Sequence, residues 1–185
     1  AWMASPYLPT SQIVFGLVTF VAPQSTKAFQ VVAVLLDLLT GWLVFDLLRL
    51  LRKPVHNVLI YLWNPLVVIE FAHGAHIDAL MIYLMVLTIW LLTKSRAGQR
   101  NQFLMASVFS LALATLTKLL PILLAPLLLR RWGWKRLILF IGLILLGLSL
   151  FLPGAGWVLF GPLDGTGLFG AFRIYSQYWN FNSGI

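Results

Sequence analysis

The chain has no cysteine, which excludes disulfides and thiolate chemistry within its 185 residues. Charge is scarce as well: 10% of the residues are Asp, Glu, Lys or Arg, where a soluble domain carries about 25%. Acidic residues are the rarest of these, five against thirteen Lys and Arg. No run of Pro, Gly and Ser separates two soluble domains, and no repeat of 20–50 residues is visible. Apolar side chains fill the space instead, at 61% of the chain, with a mean hydropathy of +0.93. A soluble globular domain is therefore excluded, and an all-α, polytopic membrane bundle is expected, since one bilayer-spanning helix takes about 20 apolar residues. The net charge of +8 would suggest a nucleic-acid partner on a soluble protein. Here the basic residues lie between apolar runs, so membrane lipids are the expected partner and nucleic acid is not.

The basic residues form three clusters: Arg49, Arg52 and Lys53; Lys94, Arg96 and Arg100; Arg130, Arg131, Lys135 and Arg136. Placing all three at the cytoplasmic face by the positive-inside rule makes the chain cross outward and return between them. Residues 28–48 then descend, 55–71 rise, 79–92 descend and 137–152 rise. The interval 101–129 is long for one span and short for two, and Lys118, Pro121 and Pro126 interrupt it. A pair of partial helices breaking near Lys118 is predicted there, and such irregular backbone is tolerated at membrane depth only against protein or a wet cavity. The stretch SPYLPTSQIVFGLVTFVAP is uncharged but short between its prolines, and reads as an interfacial or half-inserted helix.

This topology separates the ionisable residues into two populations. The inner loops carry basic residues that anchor the protein, whereas Glu70, His73, His76, Asp78, Lys118, Asp164 and Arg173 gather on the outer side, where anchoring does not explain them. Ionisable groups in a membrane are expensive and mark function by default, so an outward-facing cavity is expected. The densest segment is WNPLVVIEFAHGAHIDAL. Pro65 should kink it, Gly74 should let the backbone turn, and Glu70 and His73 are spaced to share a helical face. His76 and Asp78 meet only if their stretch is extended or forms a turn tip. A wet interhelical loop would carry the same residues without chemistry.

Two imidazoles and two carboxylates could also ligate a metal, with His73, His76 and Asp78 as the set, but the spacing matches no closed motif. No cofactor is assigned; a divalent cation shared with a substrate phosphate is compatible with these residues. Lys118, between Thr117 and Leu-Leu-Pro, needs an anionic partner or must snorkel to headgroups. Asp46 is spaced to pair with Arg49, and Asp37 lies deeper, suited to an interhelical contact. Tyr175, Tyr178, Trp179 and Phe181, mixed with Arg173, Gln177, Asn180 and Asn182, suit an outer aromatic belt or stacking on a sugar ring.

Four patches occur in order along nearly the whole chain: YLPTSQIVF, WNPLVVIEFAHGAHIDAL, TKLLPILLAPLLL and RIYSQYWNFNSG. Together they resemble the C-type integral-membrane glycosyltransferases, and within them the bacterial polyprenol-phosphate-dependent mannosyltransferase-like group. The resemblance implies a plasma-membrane hexosyltransferase with its active site on the extracytoplasmic side. Its partners would be a polyprenyl-phosphate sugar donor, mannose favoured, and a glycan or lipid acceptor, with inversion at the anomeric centre. It carries Tyr7, Pro9, Gln12, Asn64, Pro65, Glu70, Gly74, His76, Asp78, Lys118, Pro121, Trp179, Phe181 and Asn182 onto family motifs. Charge assigns the lipid phosphate to Lys118, with Arg173 assisting. Tyr7, Gln12, Asn64, Glu70, His76, Asp78, Trp179 and Asn182 are the sugar- or acceptor-binding candidates. The family's acidic base belongs in a loop upstream of Ala1, so residues 1–185 are expected to be one transmembrane region of a longer protein, inactive alone. A secondary transporter or lipid flippase is the competing reading, because transporters also use broken helices and midplane charges. A non-catalytic scaffold is a third, though it has no need of clustered polar residues on one face.

Overall fold

The structure, a computed structural model, describes residues 7–97 and 100–150. Among them every regular element is helical: α1 (Pro9–Val21), α2 (Thr26–Leu50), α3 (Val58–Leu62), α4 (Pro65–Val67), α5 (Asp78–Lys94), α6 (Arg100–Thr115) and α7 (Ala125–Leu150), with short 3-10 turns and one π-helical segment, Val68–His73, between them. The helical membrane bundle expected from composition is present. Thr26–Leu50 is long and apolar enough to cross a bilayer, Leu120–Ser149 is so by length and composition although Gly133 divides it into two helices, and the bent pair Val55–Leu62 and Pro65–His73 makes a third if it acts as one span.

The distribution of side chains is that of a bundle solvated by lipid. Its exterior carries large apolar groups such as Phe20, Ile60, Leu127 and Leu17, with Phe20 86% exposed, a density of apolar surface that water does not tolerate. Its interior combines large apolar side chains, among them Leu43, Val108, Leu111, Trp132 and Phe140, with small and hydroxylated ones: Ala33, Ala79, Ala112 and Ala114 pack between helices, and Thr40, Thr88, Ser107, Ser110 and Thr115 are buried with them. Small residues let helix backbones approach, and buried hydroxyls survive by bonding backbone carbonyls. Ser110 donates across to the carbonyl of Leu84 at 2.8 Å, tying α6 to α5, while Thr88 and Thr115 bond back within their own helices.

Contacts at both ends establish the direction of each helix. At one end Asp46 of α2 accepts from the Trp90 indole of α5 at 2.8 Å and lies 3.4 Å from Lys94 and 3.8 Å from Arg49. At the other, Gln30 of α2 donates to the carbonyl of His73 just before α5. Helices α2 and α5 are therefore parallel neighbours, and α6 returns antiparallel to α5. The spacing-based expectation for Asp46 and Arg49 holds, and Asp37 finds an interhelical partner in the Tyr61 hydroxyl, which donates to it at 2.6 Å.

Helix α1 has 13 residues, about 20 Å at 1.5 Å per residue, short of the roughly 30 Å hydrocarbon core. It stays at the end of the bundle away from Asp46, with Val14 packed against the cluster of Leu80, Leu84 and Ala114. The half-inserted helix read from its prolines is consistent with this placement. The interval 101–129 also breaks where expected. Helix α6 stops at Thr115, and a 3-10 turn over Leu120–Leu124 leads into α7. From Thr117 the chain runs part of the way back, so that Trp132, 1% exposed, donates to Ser107 of α6. Gly133 (φ 69°, ψ 170°) then interrupts α7 in the left-handed region open to glycine, and the helix rises alongside α6, with Arg136 on Asn101 and Gly147 against Leu116.

Candidate functional site

The site lies at the end of the bundle opposite Asp46 and is built by two interruptions of helix. The first is the bent rising segment. Pro65 has no N–H to give the preceding turn, and the helix breaks at Trp63 and Asn64, where the Asn64 side chain accepts from the Leu66 N–H at 3.0 Å and caps the restarted helix. The two halves, Val55–Leu62 and Pro65–His73, meet at 50°. Over Val68–His73 the helix widens to π geometry, and Gly74 N–H donates five residues back to the Ile69 carbonyl at 2.9 Å. A π turn takes an extra residue per turn and re-aims the side chains that follow, which is why such turns recur at functional sites.

That widening changes the partner of Glu70. Its carboxylate lies 3.4 Å from the Nε2 of His76, so the i, i+3 pairing with His73 expected from ordinary helical spacing gives way to a contact across the turn. His73 is exposed, and its backbone carbonyl is the group in use, accepting from Gln30. The role of Gly74 also differs from the sequence expectation. Its own backbone is ordinary right-handed helix (φ −75°), and Ala75 is the residue in the left-handed region, at φ 51°. Gly74 supplies space: a Cβ there would sit 2.5 Å from His76 Cδ2 and 2.8 Å from the Glu70 carbonyl oxygen. The turn made by Ala75 is what brings His76 and Asp78 together, with His76 Nδ1 4.0 Å from Asp78 Oδ2.

The second interruption presents Lys118. With α6 ended at Thr115, the carbonyls of Leu116 and Thr117 have no helical successor to accept from. The start of α1 supplies donors: Thr10 N–H to Leu116 O at 3.0 Å and the Ser11 hydroxyl to Thr117 O at 3.1 Å. One unpaired backbone N–H of the α1 start and one side-chain hydroxyl thus satisfy two carbonyls just past the end of α6, and Ser11 and Thr117 are almost fully buried by the junction. Lys118, the next residue, reaches Asp78 at the start of α5, with Nζ 2.5 Å from Oδ1. Neither is sealed off, the side chains being 47% and 26% exposed.

Glu70, His76, Asp78 and Lys118 therefore form one line of ionisable groups, each within 4.0 Å of the next. Four of the sequence candidates converge in it. Tyr7 and Gln12 lie on α1 and its approach and contact each other: the Gln12 amide donates to the Tyr7 carbonyl at 2.7 Å, and the Tyr7 ring meets Phe15 edge-on. Phe15, Phe29, Ala33, Ala75 and His76 line a common hollow. Asn64 is not brought to this line, and its side chain is engaged as the α4 cap. Arg173, Trp179 and Asn182, with Asp164 and Phe181, lie outside the described residues. Among the described residues no group of three or more His, Asp or Glu side chains is arranged to hold a metal ion. Of the candidate ligands, His76 and Asp78 come within 4.0 Å of each other, His73 stands exposed on the other side of the turn, and Asp78 is occupied by Lys118.

Sequence reasoning did not find Thr10 and Ser11 as the brace for Lys118, since their partners lie 106 residues away. Only the Pro at the first position of α1 hinted that a helix begins there.

Helices dressed for lipid, basic residues gathered at one end and a line of acidic, imidazole and ammonium groups at the other define an integral-membrane protein with a polar site at one bundle end. Residues 1–134 match the family described as Alpha-(1->6)-mannopyranosyltransferase, N-terminal domain. The match spans well over half of the 185 residues, and the chain belongs to this family of membrane mannosyltransferases. It is therefore a glycosyltransferase domain, with a sugar donor and an acceptor as its partners. No curated protein and no solved structure matches the chain.

Proposed function

We propose that the protein is a multi-pass plasma-membrane mannosyltransferase that takes mannose from a polyprenyl-phosphate carrier and passes it, with inversion, to a glycan or lipid acceptor on the extracytoplasmic side. The observation that carries this reading is the separation of charge along the bundle. Asp46, Lys94 and Arg49 meet at one end, while Glu70, His76, Asp78 and Lys118 meet at the other. The positive-inside rule assigns the first end to the cytoplasm and so the second to the outer face.

A lipid-borne sugar phosphate presents its anion at the headgroup level, where a half-exposed ammonium can meet it. In the transfer an acceptor hydroxyl oxygen bonds to the anomeric carbon as the bond from that carbon to the phosphate oxygen breaks. The electron pair leaves with the polyprenyl phosphate, and the hydroxyl proton passes to a carboxylate base. Lys118 stabilises the charge that grows on the departing phosphate, and fixed charges of this kind are among the largest catalytic contributions. His76, Asp78 and Glu70 are placed to bind hydroxyls of the sugar or acceptor, with Tyr7 and Gln12 at the rim. The base itself is not assigned to a residue of this chain.

Lys118→Ala in the full-length protein should still insert in the membrane and lose at least about a hundredfold in mannosyl transfer from polyprenyl-phosphate mannose, in line with removal of one charge-stabilising group. Turnover at the wild-type rate in membranes with normal protein levels would sink the assignment.

A further inference from the structure

We infer that Asp78 is an internal stand-in for the donor's phosphate: its carboxylate occupies the Lys118 ammonium until the lipid phosphate displaces it. This rests on the donor reading above and adds a competition within the site. Three observations carry it. First, Lys118 is already neutralised, with Nζ on Asp78 Oδ1, so a ligand phosphate and Asp78 compete for one cation. Second, the pair is partly in solvent, with side chains 47% and 26% exposed, and ion pairs in such surroundings are weak enough to exchange. Third, Asp78 has somewhere to turn when it loses Lys118. It lies in the first turn of α5, a helix of 17 residues whose N-terminal dipole favours an anion. Its second oxygen already faces His76 Nδ1 at 4.0 Å, and the other ring nitrogen of His76 faces Glu70 at 3.4 Å.

The backbone around both partners favours exchange over collapse. Lys118 is anchored through Leu116 and Thr117 on the start of α1, and Asp78 through the Ala79 N–H, which bonds the carbonyl of His76. The ammonium can change partners by rotating its own flexible stem, with neither helix end moving. Binding of the anion thereby frees the Asp78 carboxylate from Lys118 at the moment the donor arrives. An empty site keeps Lys118 neutralised beside a lipid surface rich in other phosphates, and those anions must also compete with Asp78.

The test is binding of sugar-free polyprenyl phosphate to full-length protein in nanodiscs of neutral lipid. If Asp78 is a stand-in, Asp78→Asn should bind this probe about three- to fivefold more tightly than wild type, the size expected for an exposed ion pair lost from the competition. Asp78→Ser should shift affinity the same way and serves if the amide variant is poorly folded. Glu70→Gln removes the same charge from a group that touches His76 and not Lys118, and should tighten binding less. Unchanged or weaker binding by both Asp78 variants overturns the stand-in, as does equal tightening by Glu70→Gln, which would be a general field effect. Wild-type binding that Lys118→Ala abolishes keeps the donor reading intact under either of those results. Failure of wild type to bind the probe at all removes the donor reading and the inference with it.

Discussion

At the scale of single residues, Gly74 is the position where the chain has least latitude. A methyl group there meets the His76 ring at 2.5 Å and the Glu70 carbonyl at 2.8 Å. The ring can swing away, but the carbonyl belongs to the π-helical backbone and cannot. Gly74→Ala should therefore displace His76 and lose most transfer activity, at a stability cost of about 1–3 kcal/mol, as overpacking usually brings. Comparing transfer rates with thermal inactivation in detergent checks this, and full activity in the variant would contradict the geometry. Gly41 gives a useful contrast. A Cβ there meets the end of the Leu62 side chain at 2.5 Å, and a flexible side chain can rotate aside. Gly41→Ala should leave activity within about twofold of wild type and cost less than Gly74→Ala does, because small core changes with room to repack are tolerated.

Elements meet at this site end to end. The start of α1 donates to the carbonyls just past α6 through the Thr10 N–H and the Ser11 hydroxyl, and Lys118 is the first side chain past that junction with access to Asp78. Ser11→Ala leaves the buried Thr117 carbonyl without its hydroxyl partner, a loss of about 1–2 kcal/mol. The expected result is a lowered inactivation temperature together with impaired transfer, and Ser11→Thr, which keeps the hydroxyl, should restore part of both. An inactivation temperature unchanged in Ser11→Ala would show that the brace is dispensable. The bent segment ahead of α5 works by the same logic: Pro65 breaks the hydrogen-bond ladder, Asn64 caps the restart, and the π turn absorbs the offset.

Across the whole molecule the prediction is sidedness. Gln24, in the exposed turn between α1 and α2, and Lys53, just beyond α2, lie at opposite ends of a 25-residue helix. Single cysteines at Gln24 and Lys53, in a full-length protein otherwise free of cysteine, should label with a membrane-impermeant thiol reagent from opposite faces, Gln24→Cys from outside. Labelling of both from one face would overturn the charge-based orientation and, with it, an outer active site.

Much of this was legible in the order of residues. The absence of cysteine and the scarcity of acids limited the chemistry, and apolar length limited the class to a helical membrane bundle, because lipid admits few ways to satisfy a backbone. Pro65 and the Lys118–Pro121 region marked the two breaks, since proline acts locally on the turn before it. The partner choices were not legible. Glu70 pairs with His76 because a π turn shifted the register, Ala75 rather than Gly74 turns the chain, and Lys118 finds Asp78 because α1 holds the end of α6 in place. The sequence by itself determined the solvent, the helices and where they break, since those depend on local chemistry and on apolar length. Only the tertiary structure decided which charges face one another, because ion pairs form between whichever groups the packing of distant helices brings within about 4 Å.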